Sequence, residues 1–283
     1  MSETLAPPAA RATADRRMVF RSRGRSHGAI TRLMSPADLG EVLKPFVFLD
    51  LFDNHADRFP SFGFHPHSGL ATLTYVAEGS VSYEDTNGAA GLLRGGGVEW
   101  MRAGRGVWHC GGAGEPGPTR GFQLWLALPP HLELGPSQSL YLDAASIPVM
   151  GPARVLLGDY GFAASAIKAP ASISYLAVTL KAGETWRYDP PGDHAVLWLA
   201  LGKGAIAAPE ILEQGEIVVF DRAAGGVSFT ARRDAEFVIG SAVPHPHRLV
   251  LGHYSVHTSA QALQAGEAHI KEIHRSLLSQ GRL

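Results

Sequence analysis

A chain of 283 residues suits one large or two medium folding units, and 45% hydrophobic against 18% charged residues excludes a largely disordered protein. The 25 basic and 26 acidic residues nearly cancel, so no net field draws the chain to nucleic acid or anionic lipid, and no apolar run is long enough for a membrane-crossing helix. The single cysteine, Cys110, rules out an intramolecular disulfide, and the expected setting is cytoplasmic.

Residues 1–17 are rich in Ala, Pro and Arg. Arg11, Arg16 and Arg17 cluster as in a presequence, but Pro7 and Pro8 break any amphipathic helix, so this stretch is expected to be a flexible tail. Beyond it, 33 glycines and 19 prolines punctuate short apolar runs, which predicts many short strands rather than long helices. Strands are expected at 46–52, 71–76, 81–84, 98–101, 107–110 and 122–128, with turns at Glu78-Gly79 and Asn87-Gly88. They form an N-terminal all-β unit over 18–135, of the sandwich or barrel kind. Pro129-Pro130 closes the series, and 134–153 reads as a loop-rich connection.

A second series follows at 173–180, 195–201, 205–207, 216–220, 227–231 and 236–240, inside a C-terminal unit over 136–283. Its cadence repeats the first: Gly215-Glu216-Ile217-Val218 follows one turn as Gly97-Val98-Glu99-Trp100 follows another. The end of the chain differs. Thr258 and Gln261 have capping-box spacing, and Leu263, Ile270, Ile273 and Leu277 mark one face of an amphipathic helix. His269 and His274 belong on its wet face.

The sharpest chemical feature is His65-Pro66-His67. In a strand, residues two apart share a face, so both imidazoles enter one interior while Pro66 turns away. Such a pair is half of a transition-metal site. The second feature is Trp100-Met101-Arg102-Ala103-Gly104-Arg105-Gly106-Val107-Trp108-His109, where glycines permit a tight return and His109 enters the next strand. Beside the first pair, His109 supplies a third ligand; taken alone, it reads as a core histidine.

The run Phe64-His65-Pro66-His67-Ser68-Gly69, then Thr72-Leu73-Thr74-Tyr75, Glu78-Gly79, Glu84-Asp85, Gly88 and the Trp100–His109 stretch closely resembles the pirin family of the cupin superfamily. The match holds in order and spacing over about forty-five residues, and a looser one covers most of the rest. The resemblance implies an all-β bicupin: two cupin-like β-sandwich barrels with a C-terminal helix, only the N-terminal barrel holding metal. It implies Fe(2+) or another divalent transition metal on His65, His67 and His109. It also implies either quercetin 2,3-dioxygenase-like oxidation of a flavonol or related aromatic, or a non-catalytic regulatory role with a protein partner.

The sequence departs from that pattern where the family carries a glutamate ligand two residues after the third histidine: here stands Gly111. Tyr83 occupies a place that is often histidine. Three states remain open: a three-histidine site completed by water, a site that Glu115 swings into, or an empty one. Cys110 alternates away from His109 and reads as a buried small hydrophobe. In the second unit Trp186 and Tyr188 stand where the HxH pair would be, which predicts a metal-free barrel. His245-Pro246-His247, with His253 and His257 as further candidates, imitates the first motif but reads as loop. No nucleophile-elbow motif supports covalent catalysis.

Overall fold

The computed structural model describes residues 15–55 and 61–283; most of the expected tail, 1–14, lies outside the described residues. Strand alternation builds the architecture. In Leu70–Glu78, Ala71, Leu73 and Tyr75 turn to one face and Thr72 and Thr74 to the other. Glu99 and Gln123 share the Thr74 face of the same seven-stranded sheet, while Trp100, Phe122 and Leu124 share the Leu73 face. That sheet runs in the order Gln138–Leu142, Val98–Arg102, Leu70–Glu78, Thr119–Ala127, Phe46–Asn54, Ile30–Met34, Arg25–His27. A four-stranded sheet, in the order Phe62–His67, Val107–Ala113, Ser80–Asp85, Ala90–Arg94, completes the first barrel.

The second barrel is built on a nine-stranded sheet whose longest member is Val227–Ala242. Here both faces are apolar. Tyr175, Trp198 and Val238 pack against Leu73, Trp100 and Phe122 of the first barrel, and Phe46 meets Trp198 edge-on at 5.2 Å. The opposite face, with Leu176, Leu197, Leu199, Phe229 and Phe237, fills the second barrel's own interior. The chain is therefore a two-barrel all-β protein with the helix Ala260–Ser279 at its C-terminal end.

Several local expectations change. Met18–Ser22, assigned by cadence to the N-terminal unit, pairs with Ile217–Phe220 in the second barrel's sheet. Arg16, expected in the tail, is buried and donates from Nε to the carbonyl of Gly225 and from Nη2 to that of His194, both at 2.8 Å. The runs 227–231 and 236–240 are one strand, because the exposed Arg232-Arg233-Asp234 stretch continues the ladder through irregular register rather than turning. Part of 134–153 is strand: Gln138–Leu142 adds an edge to Val98–Arg102. The helix is capped by Ser259, whose hydroxyl accepts from the Ala262 N–H. Thr258 instead gives its N–H and its hydroxyl to the buried Glu133, each at 2.7 Å.

Candidate metal centre

Phe62–His67 and Val107–Ala113 run antiparallel with His65 directly opposite His109 and His67 opposite Val107. The two-residue period puts His67 on the face of His65, and the cross-strand register adds His109. Ring centroids lie 4.4 Å apart for His65–His109, 5.1 Å for His67–His109 and 5.2 Å for His65–His67. One ring nitrogen from each lies within 4.8 Å of the others. The return between Val98–Arg102 and Val107–Ala113 needs glycine: Gly104 has φ +53°, and a Cβ there would meet the Gly135 carbonyl oxygen at 2.2 Å.

The backbone around the cluster fixes its tautomers. His65 donates from Nδ1 to the Gly63 carbonyl at 2.9 Å, and His67 from Nδ1 to the Tyr254 carbonyl at 3.1 Å. Tyr254 holds this position with φ 57°, the one non-glycine residue at positive φ among those described. Both rings thereby keep an unprotonated Nε2. The Nε2 atoms of His67 and His109 are buried with no hydrogen-bond partner among the described residues. Leaving such an atom unmatched costs about 1–3 kcal/mol. Burial, and secondarily the neighbouring His109, holds His65 down to about 4; burial holds His67 well below the usual imidazole range. Converging ring nitrogens, two of them orphaned, with His65 and His67 kept neutral by burial, are the donor set a divalent transition metal requires, so the residues present fit such an ion.

The cluster borders a cavity of about 880 Å³, whose wall includes Thr74, Tyr83, Glu99 and Gln123 and continues to the ion pair of Arg32 with Asp50. Tyr83, in the place where histidine is often found, stacks on Tyr141 at 3.7 Å. Glu99 escaped the sequence reading. It is buried, with Oε1 3.4 Å from Nδ1 of His109. Its only advance signal is an acid inside the apolar run Val98-Glu99-Trp100-Met101. The Tyr254 carbonyl gave none, since any residue carries one.

Other candidates stay apart. Glu115 is ion-paired with Arg94 at 2.6 Å. Cys110 sits opposite Glu84 outside the cluster and is half-buried rather than buried; burial pushes its thiol up. Trp186 and Tyr188 point into the second barrel's apolar interior. His245 and His247 lie 5.2 Å apart in a loop, and among the described residues no third ligand joins them. His257 is occupied elsewhere, 3.0 Å from Ser68 Oγ and 3.3 Å from Glu133.

Comparison with known proteins bears on the family and the fold. The family model described as Pirin matches residues 28–126. A pirin-like protein of Caulobacter vibrioides is 33% identical over 187 residues, covering 62% of this chain and 67% of that protein. The chain belongs to the pirin family. Among solved structures, this pirin superposes on a quercetin 2,3-dioxygenase from Acinetobacter baumannii with TM-score 0.83, at 24% identity, over 93% of this chain and 98% of that one. The bacterial pirin YhhW of Escherichia coli, solved in complex with nickel(II), gives TM-score 0.63 at 19% identity, over 81% and 98% of the two chains. The first likeness shows a shared fold over nearly the whole chain, and the second over 81% of it.

Proposed function

We propose that this pirin is a metal-dependent oxidoreductase of the quercetin 2,3-dioxygenase type, acting with dioxygen on a flavonol or related small aromatic compound. The observation that carries the reading is the convergence of His65, His67 and His109, with orphaned Nε2 atoms on the last two, beside a cavity of about 880 Å³. The name of the Acinetobacter protein and the nickel in the Escherichia coli pirin support it. Ferrous iron or another divalent metal held by the three imidazoles supplies Lewis acidity and an electron path between an aromatic oxygen donor and dioxygen. The protein's part is orientation. The Gly63 and Tyr254 carbonyls aim two rings, Tyr83, braced by its stack on Tyr141, gives an aromatic wall, and Thr74 and Gln123 offer hydrogen bonds within the cavity. We also assign the protein to the cytoplasm, on the strength of its lone thiol, Cys110.

A second reading, a non-catalytic regulatory pirin that contacts a protein partner, is favoured by Gly111. It lines the cavity two residues beyond His109 and offers no proton acceptor. One experiment separates the two. After reconstitution with ferrous iron, the protein should hold one ion per chain and consume oxygen only when a flavonol such as quercetin is added, and His67→Ala should abolish both. Metal uptake without oxygen consumption would select the regulatory reading. Absence of metal uptake in the wild type would overturn the metal centre itself.

A further inference from the structure

We propose that Glu99 is a positioning residue for the metal centre: through Nδ1 of His109 it orients that ring and supplies the negative charge the three neutral imidazoles lack. The proposal rests on the three-histidine reading above and adds a residue to it.

Glu99 lies in Val98–Arg102, with Thr74 opposite on one side and Tyr141 on the other, and its side chain is 7% exposed. Oε1 is buried without a hydrogen-bond partner, although Nδ1 of His109 is 3.4 Å away. Among the described residues, His109 is its only ion-pair partner. A carboxyl oxygen withdrawn from water without a hydrogen bond is unfavourable unless a cation lies near. A divalent ion held by Nε2 of His109 would resolve both anomalies. It would provide a counter-charge one imidazole away and make Nδ1–H a stronger donor toward Oε1, now 3.4 Å away. Carboxylate–histidine–metal arrays of this kind fix the tautomer and raise the basicity of the ligand. The other two rings are held by neutral carbonyls. Among the described residues Glu99 is the one acid ion-paired to the cluster, since Glu115 is committed to Arg94, Asp50 to Arg32, and Asp85, opposite His109, to the Tyr141 hydroxyl.

The test is titration calorimetry with nickel(II) and ferrous iron on the wild type, Glu99→Gln and Glu99→Ala. The amide of Glu99→Gln keeps an acceptor for Nδ1–H and loses the charge, and Glu99→Ala loses both. Affinity should fall about tenfold in the first and up to about a hundredfold in the second. Both variants should leave the melting temperature of the metal-free protein within a few degrees of wild type, because Oε1 makes no hydrogen bond that the substitution would break. A merely structural role is excluded by rescue. Gly111 lines the same cavity, its φ lies outside the left-handed region, and a Cβ there meets only the Ser82 carbonyl oxygen at 3.2 Å. Gly111→Glu should thus restore at least tenfold in affinity to Glu99→Gln, yet improve the wild type much less. If Glu99→Gln fails to fold, Glu99→Asp, which keeps the charge but withdraws it from His109, should still bind more weakly than wild type. Equal affinity of the Glu99 variants and wild type, or equal gains from Gly111→Glu in both backgrounds, would overturn the role of Glu99 and leave the three-histidine centre standing. A wild type that binds no ion would overturn the centre as well.

Discussion

At His65 and His67, burial favours the neutral imidazole before any ion arrives. An ordinary imidazole begins to take up protons as pH nears 6, which weakens its hold on a metal ion. The folded protein moves that threshold. Removal of His65 from water holds it down to about 4, and His67 is pushed in the same direction more strongly. Protonation of His65 and His67 is therefore expected to leave metal occupancy intact at pH 6 and to remove it toward pH 4, as measured by ion content after dialysis at stepped pH. Occupancy that halves near 6.5 would mean that these two rings do not set the threshold. The same shift acts on stability. A ring neutral in the fold and protonated in the unfolded chain favours unfolding by acid, so its contribution is intact above about 6.5 and lost as pH falls toward 4. The metal-free protein should melt progressively lower across that window. His245 is held at about 4 with the same sign, so a His65→Gln variant should flatten the slope only in part.

The elements show which signals a sequence carries and which it hides. The HxH pair and its convergence with His109 were legible because strand alternation has a fixed period and glycines marked the return. Glu99 was not, since an acid in a strand ordinarily marks a wet face, and only the barrel's polar interior makes it an inward residue. Val227–Ala242 was split because a charged triplet resembles a turn, whereas ladder pairing across the sheet overrides that local cue. The C-terminal helix was read correctly as amphipathic, but its docking was invisible. Gly266 approaches a buried cluster in which Ser68 Oγ and His257 Nε2 would each lie 2.6 Å from a Cβ. Those atoms are tied to one another at 3.0 Å, and His257 is backed by Glu133. Alanine gains about 1 kcal/mol in helix propensity, but overpacking costs about 1–3 kcal/mol, and here nothing yields. Gly266→Ala should lower the melting temperature, while Gln264→Ala on the exposed face of the same helix leaves it unchanged or slightly raised. A more stable Gly266→Ala protein would show that the helix shifts freely over Ser68 and His257.

Across the whole molecule, one sheet pattern is used for two purposes. Both barrels turn alternate residues toward their shared interface, where Leu73, Trp100 and Phe122 meet Tyr175 and Trp198. They differ in the other face. Thr74, Glu99 and Gln123 leave the first interior polar and open, whereas Leu176, Leu199, Phe229 and Phe237 close the second. Stability and chemistry are thereby assigned to separate interiors, and a substitution can disturb one without the other. Phe229 is fully buried, with its ring 5.5 Å from Phe237 and 5.9 Å from Trp186. Phe229→Ala removes that packing and leaves a cavity, at about 3–5 kcal/mol. For a chain of this size, each kcal/mol lowers the melting temperature by about 2–4 °C, so a drop of roughly 10 °C is expected from calorimetry. Nickel(II) affinity at 20 °C should stay within about threefold of wild type, because the rings packed on Phe229 among the described residues, Trp186, Phe220 and Phe237, all belong to the second barrel's own interior, and well-separated sites act nearly independently. A large loss of affinity in a variant that is still folded at that temperature would show that the shared interface couples the two interiors, and the second barrel would then be part of the metal centre's support.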